Sequence, residues 1–170
     1  LWIAKEMERI GLQPAGDNGS WFQTVGMVEQ SIDESQSGMT FNGTASGDAY
    51  PMTLKEDAVL WTKRQNGTDF AFDDSDLVFV GYGVVAPEYD WNDYADQDFT
   101  GKTVVMLVND PGFATGDPDL FKGKSMTYYG RWTYKFEEAA RQGATAAIVI
   151  HETEPASYGW DVVSNSWSGA

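Results

Sequence analysis

The chain has no cysteine and a single histidine, His151. The first absence excludes a disulfide framework, a thiolate metal site and a cysteine nucleophile. The second leaves too few imidazoles for a catalytic zinc site, which takes three protein ligands and most often two or more histidines. A Ser-His-Asp triad has the same lone candidate base, and no Gly-x-Ser-x-Gly elbow marks a nucleophilic serine. Positive charge is scarce too: 11 basic residues face 26 acidic ones, for a formal charge of −15. A field of that sign repels phosphate and anionic membrane surfaces, so neither nucleic acid nor membrane is expected as a partner. The longest apolar runs, Val104 to Val108 and Ala146 to Ile150, fall far short of the ~20 residues that cross a bilayer. No signal peptide is visible, but the chain opens at Leu1 inside an expected helix. It is therefore expected to be a processed piece, and the missing signal decides nothing.

What is present is a foldable sequence. A length of 170 residues suits one domain, or one domain with fragments of a second. Hydrophobic residues at 42% rule out a disordered tail, and 18 glycines with seven tryptophans point to strands and tight turns. Residues Leu1 to Ile10 place Ile3, Met7 and Ile10 on one helical face beside Trp2, with Gly11 as the C′ residue. Gln13 to Gly19 is dense in turn formers. Strands are predicted over Trp21 to Val28 and Met39 to Asn42, and a hairpin from Ala58 to Lys63 and Asp69 to Phe72 about Asn66-Gly67. Leu77 to Gly81 reads as a buried strand, which makes the first half mostly antiparallel β. Lys102 to Val108 and Ala144 to Ile150 read as buried strands on either side of a helix over Arg131 to Gln142. In that helix Trp132, Phe136 and Ala139/Ala140 form the apolar stripe, and Gly143 caps the end. Strand, crossover helix and strand make a βαβ unit with parallel pairing and a right-handed crossover. His151 to Ala170 is expected to lack a closing element.

Several patterns invite chemistry. Gly81-Tyr82-Gly83-Val84-Val85-Ala86 matches a dinucleotide fingerprint, with Asp110 near the end of the next strand. The mechanism needs a helix directly after the glycines, and Pro87 to Asp93 is acidic and turn-rich instead. The glycines are better read as backbone bends at a strand end. Asp90, Asn92, Asp93, Asp96 and Asp98, then Asp110, Asp117 and Asp119, collect oxygen donors of the kind calcium takes. Ala95 and Gly101 break the EF-hand spacing, and solvated acidic loops are the default. His151, followed by Glu152 and Glu154, sits at a strand end, where hydrogen-bonded structural histidines are common. Arg131 opens its helix in Tyr128-Tyr129-Gly130-Arg131-Trp132, at the end where the dipole disfavours a cation. Two explanations stand: it faces a carboxylate of a substrate or neighbouring domain, or it pairs with a local acid such as Glu138. Asn18-Gly-Ser, Asn42-Gly-Thr and Asn66-Gly-Thr are formal glycosylation sequons, equally explained as Asn-Gly turns.

Four segments together resemble one family. They are Gly11-Leu12-Gln13-Pro14-Ala15-Gly16-Asp17-Asn18-Gly19-Ser20-Trp21-Phe22-Gln23, Val78-Phe79-Val80-Gly81-Tyr82-Gly83-Val84, Asp98-Phe99-Thr100-Gly101-Lys102-Thr103-Val104-Val105, and Tyr128 to Lys135 running on through Ala139-Ala140-Arg141-Gln142-Gly143-Ala144. Their order and content are similar to bacterial zinc-dependent aminopeptidases that carry a protease-associated (PA) domain, relatives of glutamate carboxypeptidase II. The resemblance covers nearly the whole chain. It implies an α+β fold: a β-rich PA-type domain, open or barrel-like, with a βαβ unit and one or two flanking helices. It further implies that residues 1–15 are a stub of the catalytic domain and residues 16–170 most of the PA domain, incomplete at its C-terminus. The family's zinc ligands lie downstream, so this chain is expected to hold no catalytic, metal or cofactor-binding residue. Its partners would be the catalytic domain of the same polypeptide and the peptide substrate, in a secreted or periplasmic enzyme that hydrolyses N-terminal peptide bonds. Arg131, Tyr128, Tyr129 and Trp132 become the expected substrate-proximal residues. The alternative is a free-standing protein- or ligand-binding module with no peptidase partner.

Overall fold

In the computed structural model, which describes residues 1–64 and 66–167, the chain divides into two units, Leu1–Ser31 and Ile32–Ala170. The sequence-based boundary near Ala15 stands some way before this one. The first unit opens with α1 (Trp2–Arg9), which ends as its sequence predicts. Gly11 takes φ +87°, its amide bonds the Glu8 carbonyl at 3.0 Å, and the Leu12 amide reaches Met7 at 3.0 Å, a Schellman cap. A 3₁₀ turn at Asp17–Gly19 comes next, tied by the Asp17 carboxylate accepting from the Thr24 amide at 2.7 Å. Trp21 to Val28 does not form the predicted strand. Alternation alone cannot hold a strand that finds neither a partner strand nor a surface to cover, and Val25 and Met27 stay 72% and 90% exposed.

The second unit is mixed α and β with three small sheets. β1 (Met39–Asn42) and β2 (Ala49–Met52) pair antiparallel. Residues 58–64 and 66–72 are irregular, so the hairpin predicted about Asn66 is absent among the described residues; Gln65 within it, and residues 168–170, lie outside them. Trp61 instead packs edge-on against Phe136, with ring centroids 5.5 Å apart. β3 (Leu77–Phe79) leads to a short antiparallel pair, β4 (Val85–Ala86) and β5 (Trp91–Asn92). β6 (Thr103–Leu107) is followed by α2 (Pro111–Thr115), a long loop, α3 (Trp132–Arg141) and β7 (Ala146–Ile150). The order β3-β6-β7 is parallel throughout, with Val104 opposite both Val78 and Ala147. The predicted βαβ unit is therefore present. The last stretch, expected to lack a closing element, carries α4 (Thr153–Ala156) and α5 (Trp160–Trp167).

One face of the parallel sheet makes the main core: Val80, Val104 and Met106 pack with Tyr94, Phe99 and Ala139 of α3. α3 meets them along a different stripe from the one its apolar residues mark. Tyr134, Lys135, Glu138 and Ala139 are buried, whereas Ala140 is exposed and Trp132 and Phe136 are half-buried. Hydrogen bonding explains the rotation. The Tyr134 hydroxyl accepts from the Val85 amide at 3.0 Å and donates to the Val85 carbonyl at 3.1 Å, while Lys135 Nζ donates to the Tyr82 carbonyl. Glu138 accepts from Arg141 and Gln142 at 2.8 and 2.7 Å, so no buried polar group on this stripe lacks a partner.

Candidate functional site

In open sheets with parallel strands, ligand sites lie beyond the carboxyl ends of the strands. Here those ends carry Tyr82 after β3, Asn109 and Asp110 after β6, and His151 and Glu152 after β7. The start of α3 belongs to the same edge. A methyl group added at Gly130 would stand 3.0 Å from the Asn109 backbone, so only glycine lets the two segments approach. Arg131 comes directly after it as the N-cap residue of α3, with extended backbone and an exposed side chain.

The bend after β3 is what the sequence predicts: Gly81 and Gly83 take φ +56° and +64°. The chain then enters β4 and a 3₁₀ turn at Pro87–Tyr89, not a helix presenting amides, so the dinucleotide fingerprint has no phosphate cradle. Asp110 is a structural centre. Fully buried, it caps α2 by accepting from the Gly112 amide at 3.2 Å and holds Thr127 through the amide at 2.9 Å and the hydroxyl at 2.7 Å. That carboxylate fixes the far end of the long loop beside the start of α3. Asp-Pro before a short helix is an N-cap with proline at the first helical position, a signal that reading Asp110 as one donor of a solvated acidic loop passes over.

Of the acidic loop after β4, Asp93 turns inward and accepts from the Val84 amide and the Trp91 indole, each at 2.9 Å. Burial pushes its carboxyl upward against those donors. Asn92 and Asp98 cap their own turns at 2.9 Å. Among the described residues, no three acidic or imidazole side chains gather as a metal-ion group. His151 is a packed residue: one ring nitrogen faces the Tyr158 carbonyl at 3.1 Å, and its ring stacks on Tyr158 at 5.4 Å and lies near Trp160 at 5.9 Å.

The four expected substrate-proximal residues separate. Tyr129 turns into an aromatic cluster against Phe121 and Tyr134, at 5.6 and 4.9 Å, and its hydroxyl donates to Glu88 at 2.6 Å. That bond pushes its pKa up to about 12, with burial adding to it. Trp132 is half-buried, 6.4 Å from Tyr158. Tyr128, 58% exposed, and Arg131 remain at the surface. The acid suggested as a partner for Arg131 is taken, because Glu138 pairs with Arg141 at 2.6 Å. Among the described residues Arg131 makes no ion pair, though its charge is felt at the Tyr158 hydroxyl. The edge therefore offers an exposed guanidinium beside a helix start, flanked by Tyr128, Trp132 and Tyr158. Lys135, the second cation that the sequence places in the first turns of this helix, is buried completely by the rotation of α3, which the sequence pattern does not reveal.

No protein-family model, no curated protein and no solved structure matches this chain.

Proposed function

We propose that the chain is a non-catalytic PA-type module of a secreted or periplasmic zinc aminopeptidase, covering the catalytic domain and lending the Arg131 edge to the substrate cleft. The observation that carries this reading is the bare apolar surface of Leu1–Ser31. No residue of α1 is buried; Trp2, Ile3 and Ile10 are 74%, 62% and 62% exposed, and Phe22, Val25 and Val28 are 53%, 72% and 68% exposed. A helix with its apolar face in water gains nothing from packing and is marginal at eight residues. Such a segment is suited to being covered by another folded body; residues 1–15 would be the stub of the catalytic domain, and Phe22, Val25 and Val28 extend the apolar surface past it. The exposed Arg131, in no ion pair among the described residues, supports a second contact. A guanidinium of that kind is available to a peptide carboxylate or to a charge across a domain boundary.

Enzymology on the longer polypeptide tests both statements. That protein should hydrolyse aminoacyl substrates in a zinc-dependent way, and Arg131→Ala should lower its kcat/KM about tenfold, the worth of one charge-assisted hydrogen bond, at an unchanged Tm. The 170-residue chain alone should do neither. One zinc per isolated chain with chelation-sensitive activity overturns the reading. So does a reading frame that continues without a metal-binding His and Asp and a following Glu-Glu pair, which would favour a free-standing binding module.

A further inference from the structure

Asn18-Gly19-Ser20, Asn42-Gly43-Thr44 and Asn66-Gly67-Thr68 are nearly the same tripeptide three times, and all three asparagines are exposed. An Asn-Gly step is chemically labile, because glycine has no Cβ to hinder its own nitrogen from attacking the asparagine side chain. A bond forms between the glycine nitrogen and the asparagine Cγ, and the Cγ–Nδ2 bond breaks. The amide proton of the glycine leaves with the side-chain NH2 as ammonia. Water then opens the cyclic imide at one of its two C–N bonds, giving aspartate or isoaspartate. The attacking nitrogen must first be released from any carbonyl that it donates to.

On that condition the three sites differ. The Gly19 amide donates to the Gly16 carbonyl at 3.1 Å, inside the 3₁₀ turn. The Gly43 amide donates to the Asp48 carbonyl at 2.8 Å, and the same turn is closed by Gly47 bonding the Gly43 carbonyl at 2.8 Å. Asn42 is itself held in the ladder opposite Ala49. Gly67 has no such restraint. Among the described residues no acceptor takes its amide, its φ is +94°, and the nearest side-chain atom to its missing Cβ is the Phe70 ring at 4.0 Å. Asn66 belongs to no strand or helix.

We propose that Asn66 is the deamidation site of the folded protein, converting to aspartate and isoaspartate while Asn18 and Asn42 are held back by their turns. The product adds a negative charge two residues from Arg64, whose guanidinium lies 5.5 Å over the rings of Phe70 and of Phe72, and isoaspartate adds a methylene to the main chain there.

The test is peptide mapping of the chain, made in a host without N-glycosylation and aged at mildly alkaline pH. Trypsin cuts after Arg64 and Lys55, which places Asn66 in one peptide and the other two asparagines together in another, where fragment ions separate them. Asn66 should react about fivefold faster than either, the rate difference expected from one opened hydrogen bond. In denaturant the three rates should converge, and Gly67→Ala should remove the lead in the folded chain. Equal rates in the folded chain, or Asn18 or Asn42 reacting first, overturn the proposal. A lead for Asn66 that persists unchanged in denaturant also overturns it, since the fold would then have no part in the ranking.

Discussion

A charged lysine offers three N–H donors, and Lys135, fully buried, meets one acceptor among the described residues, the Tyr82 carbonyl. Asp93 and Asp110 face it from the loop after β5 and the cap of α2, yet neither reaches ion-pair distance. The Tyr82 ring stands 5.9 Å from the amine. Burial outweighs the two carboxylates and pulls the lysine pKa down to about 7 from 10.5. Between those values the unfolded chain holds a proton that the folded chain has shed, so stability rises with pH across that window, by a few kcal/mol at most. Below pH 7 the cost of burying the charge is fully present. Tyr129, raised to about 12, acts in the opposite direction at higher pH: the folded state keeps a proton the unfolded state loses, and stability falls from about pH 10 upward. Lys135→Met should flatten the rise between pH 7 and 10 and make the protein more stable than its parent at pH 6, by about 2 kcal/mol, since a well-packed apolar chain replaces a poorly satisfied ion. Denaturant titrations at a series of pH values decide it. A parent whose stability is flat over that window means that Lys135 keeps its proton when folded.

At the scale of elements, the parts legible in the sequence are those that carry their own termination signals. Gly11 and Gly143 are readable as C′ residues, and both ends close as Schellman caps, the second with Gly143 bonding Ala140 at 3.1 Å and Ala144 bonding Ala139 at 3.0 Å. The apolar runs that form β6 and β7 are readable too, because strands of a covered parallel sheet are apolar throughout, although only the central β6 is largely buried and the edge strand β7 is half-buried with Ile150 exposed. The irregular stretches are not legible. Asn66-Gly67 signals a turn, but its flanks are used by Trp61 against Phe136 and by Arg64 over Phe70 and Phe72, contacts that no period reveals. The same Trp61 contact occupies Phe136 on one flank of α3, while Tyr134, Lys135 and Glu138 are residues that the helix buries. At the candidate site, Arg131 is readable as a cation out of place at a helix start, whereas Asp110 matters through a loop closure 17 residues long. Removing that closure is a test of how the long loop is held. Asp110→Ala strands the Gly112 and Thr127 amides and should cost roughly 2–4 kcal/mol, the sum of a lost helix cap and buried unpaired donors. Hydrogen exchange should quicken through residues 111–130 while β6 stays protected. Uniform loss of protection would instead mean that the loop and the sheet unfold as one.

At the scale of the whole molecule, charge outweighs its pairing. With 26 acidic residues against 11 basic ones, the described residues contain three ion pairs: Arg9–Glu6, Lys55–Glu34 and Arg141–Glu138. Two of them, Arg9–Glu6 and Lys55–Glu34, are solvent-accessible on both sides, and pairs of that kind contribute about 0–1 kcal/mol each. The remaining acids sit mainly in surface turns, and several lie close in sequence, as Asp73, Asp74 and Asp76 do. Their mutual repulsion acts against the compact state more than against the expanded chain. Salt weakens that repulsion, because the screening length falls from about 30 Å at about 0.01 M to about 8 Å at about 0.15 M. The same salt also screens the ion pairs, but three pairs are a small term beside a net charge of −15. Tm should therefore rise with sodium chloride over that range by roughly 2–4 °C, equivalent to about 1 kcal/mol for a chain of this size. Potassium chloride should match it, since screening depends on ionic strength and not on the identity of the cation. A small divalent increment that saturates at low concentration would point to specific binding instead, and a Tm that falls with salt would mean that the few ion pairs, not the surplus of acids, set the electrostatic balance.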